Sequence, residues 1–162
     1  MRSLRSILLT GGAGFIGSTL PRQLLNRTDV DQLVVLDKLT YAGNRENLIG
    51  PDQDPRFHFI RGDIGDLALV TNLLEKHHCS GIMNLAAESH VDRSIRSPGE
   101  FINANVSGTS SLLEAARNIG VSLLQCSTDE VYGPAQFPNQ LDESAKLRPS
   151  SPYSASKAGA DL

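Results

Sequence analysis

Two short stretches in the later part of the 162-residue chain hold the residues best suited to chemistry. Tyr153-Ser154-Ala155-Ser156-Lys157 follows Ser127-Thr128-Asp129-Glu130-Val131-Tyr132-Gly133, bringing a phenol, an ammonium, hydroxyls and two carboxylates into one short span. On a helix, residues four apart share a face, which stacks Lys157 beside Tyr153. A tyrosine ordinarily titrates at about pH 10, and a neighbouring cation favours its phenolate and makes it usable as a base. The set suits oxidation of an alcohol coupled to elimination. Tyr-x-x-x-Lys alone also fits a Ser-rich turn entering an ordinary helix, and Asp129-Glu130 also fits a solvated acidic turn. The upstream half of the chain decides between these readings.

Short runs rich in Val, Ile and Leu read as buried parallel strands at Ser6 to Thr10, Gln32 to Asp37, Phe57 to Arg61, Gly81 to Ala86 and Val121 to Ser127. Longer stretches with helical periodicity lie between them at Phe15 to Asn26, Leu67 to His77 and Phe101 to Asn118. This alternation predicts an α/β fold, a Rossmann-type doubly wound parallel sheet. Pro21 falls inside the first helix and removes a bond to Gly17, which predicts a locally distorted but intact helix. Pro134, Pro138 and Pro149 mark Pro134 to Ser151 as a loop before the Tyr153 helix.

The first strand runs into Gly12-Ala13-Gly14-Phe15-Ile16-Gly17, which fits G-x-G-x-x-G and, counted from Gly11, the wider G-x-x-G-x-x-G spacing. Such glycines let a pyrophosphate approach backbone N–H groups at a strand-to-helix turn. Asp37 closes the second strand 20 residues after Gly17, where a carboxylate takes ribose hydroxyls. It would also repel a 2′-phosphate, favouring NAD over NADP, an argument that the adjacent Lys38 tempers. A P-loop is excluded, because Ser18 stands where that motif requires lysine.

Other strand ends add candidates. Asp63 and Ile64 follow the third strand, where Asp63 either accepts from an adenine amino group or simply forms a turn. Leu85, Ala86 and Ala87 end the fourth strand with mostly small side chains, leaving room for a cofactor along the backbone. Glu88 to Arg93 then form a loop at the carboxyl edge of the sheet, where open α/β sheets bind ligands. His90 is read there as a substrate contact or a loop histidine. Asn105, inside a predicted helix, either holds water or backbone for a proton relay or is simply exposed.

A formal net charge of -3 carries no basic footprint, which argues against nucleic acid as a partner. The hydrophobic content of 40% suffices for one core-bearing domain, so residues 1–162 are expected to form a single dinucleotide-binding domain. Met1 to Ser6 imitates the start of a leader, but Thr10-Gly11-Gly12 interrupts the apolar run, and no stretch reaches membrane-spanning length. The chain is therefore expected in the cytoplasm, with Cys79 and Cys126 as reduced thiols. His58, His77 and His78 have no partners at metal-ligand spacing, and no metal site is expected.

Thr10 to Gly17, Asp37 to Asn44, Ala86 to Ile95, Ser127 to Gly133 and Tyr153 to Ala158 resemble the extended short-chain dehydrogenase/reductases. Within that family they resemble the dTDP-glucose 4,6-dehydratases. Related 4-epimerases share Tyr-x-x-x-Lys but lack the acid pair, and related decarboxylases and GDP-mannose dehydratases usually carry Ser at the position of Asp129. The resemblance implies an NAD-dependent lyase of nucleotide-sugar and deoxysugar metabolism. Tyr153, Lys157 and Thr128 would then serve C4 oxidation, Glu130 would be the base at C5, and Asp129 the acid at the C6 hydroxyl.

By the same resemblance Gly11, Gly14, Phe15, Ile16, Gly17, Asp37, Lys38, Thr40, Asp63, Ile64, Leu85, Ala86, Ala87, Ser127, Tyr153 and Lys157 would contact NAD. Ser89, His90, Thr128, Asp129 and Glu130 would contact the nucleotide sugar. Family members are roughly twice as long, form homodimers and carry a C-terminal nucleotide-sugar-binding part, so the resemblance implies that residues 1–162 hold an incomplete Rossmann-type domain, its five strands ordered 3-2-1-4-5 with the fifth as an open edge. The chain alone is therefore expected to bind NAD weakly, to be inactive, and to hold the Tyr153 helix loosely. Two alternatives stay open: another epimerase, decarboxylase or dehydratase of the family, or a dinucleotide-binding module without chemistry.

Overall fold

The computed structural model describes residues 5–136, 138 and 140–162. Met1 to Leu4 of the leader-like segment, and Phe137 and Asn139 of the predicted loop, lie outside the described residues. The chain gathers into two compact units, one of residues 1–86 and 108–126, the other of residues 87–107 and 127–162.

The first unit is built on five parallel strands, β1 (Ser6–Thr10), β2 (Gln32–Asp37), β3 (Phe57–Arg61), β4 (Gly81–Asn84) and β5 (Ser122–Gln125), in the order β3-β2-β1-β4-β5. The predicted order and the fifth-strand edge are both observed. Alternate residues of β1 and β2 point to opposite faces, so both faces are apolar. Leu8, Val34, Leu36 and Ile82 pack with Val70, Leu73 and Leu74 of α2 (Leu67–Lys76) and with Leu112, Ala115 and Ala116 of a later helix, Gly108–Ile119. Ile7, Leu9, Leu33 and Val35 pack on the other face with Leu25 of α1 (Thr19–Leu25), Val30 and Leu48.

Helix α1 is shorter than the Phe15 to Asn26 expected from periodicity. Residues 14–18 form hydrogen-bonded turns, and Pro21 becomes the third residue of a helix that starts at Thr19. There its missing N–H costs nothing, because first-turn donors have no intrahelical partner. The conflict is resolved by a later start, and Phe15 and Ile16 are left exposed in the turn.

The second unit holds α3 (Val91–Arg96), α4 (Pro98–Phe101), a π-helical turn (Ile102–Ser107), a 3-10 turn (Asp129–Tyr132) and a final helix, Pro152–Asp161. In chain order the two last-named α-helices are α5 (Gly108–Ile119) and α6 (Pro152–Asp161). The predicted helix from Phe101 to Asn118 is thus replaced at its start by the π turn, and Asn105 sits in that turn. The described residues between Pro134 and Ser151 form no helix or strand, as expected. Among the described residues no helix is long and apolar enough to cross a membrane, and no group of three or more His, Cys, Asp or Glu is placed to hold a metal ion.

Candidate functional site

In the first unit, three glycines shape the turn after β1. Gly11 adopts φ 68°, and a Cβ there would fall 2.5 Å from the Ala86 nitrogen. A Cβ on Gly17 would fall 2.2 Å from the Gly11 carbonyl oxygen, whereas one on Gly14 would meet only that oxygen, at 3.3 Å. Gly11 and Gly17 therefore serve the packing of the turn itself, and Gly14 leaves its outer side open. Among the described residues the N–H groups of Phe15, Ile16 and Gly17 donate no hydrogen bond. A turn with open space and unused donors fits a bound pyrophosphate.

Asp37 locks this turn to the end of β2. Its Oδ2 accepts the Ala13 N–H at 2.9 Å and its Oδ1 accepts the Leu39 N–H at 2.8 Å. Leu39 takes a left-handed conformation, φ 55°, which costs a branched residue about 1–2 kcal/mol and is held here by that bond. Carboxylate oxygens have further lone pairs, so Asp37 remains able to accept from ribose hydroxyls. Thr40 is exposed in the same segment.

Lys38 pairs with Asp63, Nζ to Oδ2, at 2.6 Å. Asp63 Oδ1 accepts the Gly65 N–H at 2.9 Å, so the turn-forming role open in the sequence is realised. Burial opposes ionisation of Asp63, but the Lys38 hydrogen bond, the Gly65 N–H and the Lys38 charge together hold it below the usual carboxylate range. Ile64 is a core residue, 6% exposed against Leu36 and Val70, so its side chain is not available to a ligand.

The ends of β1, β4 and β5 carry a buried polar network that the sequence did not signal. Thr10 Oγ1 donates to Asn84 Oδ1, and the Asn84 amide donates to Gln125 Oε1 at 2.7 Å and to Thr109 Oγ1 at 3.3 Å. The same Asn84 oxygen accepts the Ala86 N–H at 3.2 Å. This explains why β4 stops at Asn84 and not at Ala86. Leu85 still donates its N–H to the Thr10 carbonyl at 3.1 Å, and the Leu85–Ala86 backbone closes against Gly11.

In the second unit, Thr128 caps the 3-10 turn that carries the two acids. Its hydroxyl accepts the Glu130 N–H at 3.3 Å and lies 3.4 Å from Asp129 Oδ1. Val131 anchors the turn inward, while Asp129 and Glu130 are exposed. Gly133 ends it at φ 79°, and a Cβ there would meet the Arg148 carbonyl oxygen at 2.3 Å. The returning loop is tied by the Arg148 N–H to the Val131 carbonyl at 2.8 Å.

Helix α6 is firmly held, contrary to the expected loose one. Ser151 and Ser154 form a capping box with Pro152 in the first turn, a signal already present in Ser151-Pro152 but not drawn from it. Helix α6 packs on α3, α4, the π turn and the 3-10 turn. Lys157 is 4% exposed and Tyr153 half-buried, its ring edge-on to Phe101 at 6.4 Å. Their i, i+4 spacing places both on one face, as read from the sequence.

Asn105 is the keystone of this packing, 1% exposed. Its amide donates to the Glu88 carbonyl at 2.9 Å and to Ser156 Oγ at 2.8 Å, and its oxygen accepts the Glu88 N–H at 2.8 Å. Of its two sequence readings, the backbone-holding one is observed. Glu88 and Ser156 escaped sequence reasoning as partners, since nothing local links positions 17 and 51 residues away. Ser127 donates to the Asp161 carboxylate. Ser89, His90 and Ala87 are exposed around the start of α3.

Known proteins share these features. A sequence model of the GDP-mannose 4,6 dehydratase family matches residues 8–162. The chain belongs to this family. It is 50% identical over 157 residues to the low-salt glycan biosynthesis protein Agl12 of Haloferax volcanii, covering 96% of this chain and 49% of that protein. It is 45% identical over 174 residues to dTDP-glucose 4,6-dehydratase 1 of Escherichia coli K12, covering 96% and 48%. The crystal structure of DesIV, a dTDP-glucose 4,6-dehydratase of Streptomyces venezuelae with NAD bound, superposes with a TM-score of 0.92 at 49% identity, over 96% of this chain and 49% of that one. UDP-glucose 4-epimerase of Brucella ovis, in complex with NAD, gives 0.84 at 30% identity, over 97% and 46%. The chain thus spans about half the length of the relatives it matches.

Proposed function

We propose that this chain is the cofactor-binding and acid-base portion of an NAD-dependent dTDP-glucose 4,6-dehydratase, acting on a nucleotide-linked glucose. The observation that carries the reading is Asp129 beside Glu130 on a turn capped by Thr128, in the same compact unit as Tyr153 and Lys157 on one face of α6. An epimerase has to move a proton at one alcohol, whereas elimination across two carbons needs a separate base and acid, and this pair supplies both. Identity of 45% to the Escherichia coli enzyme and 49% to DesIV, both dTDP-glucose 4,6-dehydratases, supports the same assignment.

The donors of Phe15 to Gly17, the open side of Gly14, and Asp37 fit NAD by its pyrophosphate and adenosine ribose. When bound, NAD supplies the two-electron acceptor that oxidises C4 and later reduces C6. Tyr153 takes the proton of the C4 hydroxyl, with Thr128 and Lys157 as its helpers. The 4-keto group acidifies the C5 proton, Glu130 removes it, Asp129 protonates the C6 hydroxyl that departs as water, and Glu130 returns the proton to C5 when C6 is reduced. Asp129 and Glu130 are both exposed, so burial within the chain does not set them apart. In this reading the substrate completes the site by covering both carboxylates.

The test is formation of the 4-keto-6-deoxy sugar from dTDP-glucose by the product of the whole reading frame that encodes this chain. Turnover is expected, with Glu130→Gln and Asp129→Asn each losing at least about 100-fold in kcat. Interconversion of UDP-glucose and UDP-galactose without elimination would instead favour an epimerase, and binding of NAD with no turnover of any nucleotide sugar would favour a non-catalytic module.

A further inference from the structure

Lys38 is the cation next to Asp37 in sequence, and its side chain is committed to Asp63 at 2.6 Å. Asp63 is in turn fixed by the Gly65 N–H on its other oxygen, and the Lys38 backbone is fixed by left-handed Leu39, whose N–H sits on Asp37 Oδ1. All five residues belong to the first compact unit. Resting on the dinucleotide-binding reading above, we infer that the Lys38–Asp63 ion pair is a specificity determinant, setting the preference for a 2′-hydroxyl over a 2′-phosphate on the adenosine ribose.

The physical argument is one of competition for a single cation. A 2′-phosphate brought to Asp37 meets a negative carboxylate and needs a positive partner. Lys38 can serve it only by leaving Asp63, and Asp63 then stands uncompensated near the same phosphate. Both penalties fall on the phosphorylated ligand alone, because a ribose hydroxyl leaves the pair intact. The side chains of Lys38 and Asp63 are 63% and 45% exposed, so water and salt limit the effect to a modest factor. Asp37 supplies the baseline discrimination and the ion pair adds to it.

A double-mutant cycle tests the inference by binding alone. NAD and NADP are titrated calorimetrically into the unmodified chain, Lys38→Met, Asp63→Asn and the double variant, each checked by circular dichroism, and the ratio of the NADP to the NAD Kd is compared. With Lys38 present, Asp63→Asn is expected to lower that ratio by roughly fivefold, the scale of an exposed ion pair. In the Lys38→Met background the same change is expected to move it by less than about twofold, since no cation remains to be released. An equal drop in both backgrounds would overturn the inference in favour of simple charge removal. Equal weakening of both ligands by Asp63→Asn would overturn it in favour of an adenine contact. If the unmodified chain bound neither dinucleotide, the underlying reading would fall and take the inference with it, an outcome separate from a flat cycle on a chain that binds NAD.

Discussion

Asp37 in the first unit and the Asp129–Glu130 pair in the second are carboxylates that follow parallel strands, yet their surroundings are opposite. Asp37 is 9% exposed, and each of its oxygens already accepts a backbone N–H. Asp129 and Glu130 are exposed on a short turn whose backbone alone is anchored, by Thr128, Val131 and the Arg148 tie. One carboxylate is part of the fold and can meet a ligand only with its remaining lone pairs. The other two are positioned but chemically unfinished. In the proposed function the cofactor side would thus be prepared by packing, while the acid-base side would depend on what covers it.

Substitutions can break this comparison where backbone is held and sharpen it where only side chains are presented. Asn105→Leu has the largest expected effect, because it orphans the Glu88 N–H and carbonyl and removes the bond to Ser156; a loss of about 3 kcal/mol, read from urea unfolding, is expected. Gly11→Ala comes next, at about 2–3 kcal/mol, since the new methyl would overlap the Ala86 backbone at a left-handed φ; dinucleotide binding should disappear with it in calorimetry. Asp37→Asn keeps the shape but replaces two charge-assisted acceptors, and a loss of about 1–2 kcal/mol in the same urea series is expected. Glu130→Gln should shift stability by no more than about 0.5 kcal/mol, the range for an exposed side chain. A large stability loss there would show that the second unit is also built around its acids, and the contrast with Asp37 would fail.

A third region supplies a control away from both sites. His77 Nδ1 lies 3.1 Å from Gln32 Oε1, and Gln32 Nε2 lies 3.1 Å from His58 Nε2, with the two rings 5.0 Å apart. Burial first, and then the charges of His58, Lys76 and His78, lower the His77 pKa from 6.5. The unfolded chain therefore binds more protons than the folded one between the two values. Stability falls as pH drops through 6.5, and the loss is complete below the folded value. Thermal melts from pH 7.5 to 5 should show this decline, and His77→Gln should flatten it. An unchanged slope in that variant would assign the decline to other groups.

Much of this architecture was legible from local patterns. Strand positions, the glycine turn and the shared face of Tyr153 and Lys157 follow from alternation and helical spacing, and the β3-β2-β1-β4-β5 order is the one the family resemblance implied. Boundaries were read less well. Pro21 and the exposed Phe15 and Ile16 shift the start of α1 to Thr19, and Asn105 replaces the first turns of a predicted helix with a π turn.

Partner choice was not legible at all. Whether Lys38 would face Asp37 or Asp63, whether Ile64 would meet a ligand or the core, and what a buried Asn105 or Asn84 would bind are contests between groups distant in sequence. Propensity and spacing act over a few residues and are written in the chain as it stands. Such contests are settled only when the packed sheet and helices bring the competitors within hydrogen-bond reach and remove the water that would otherwise satisfy them.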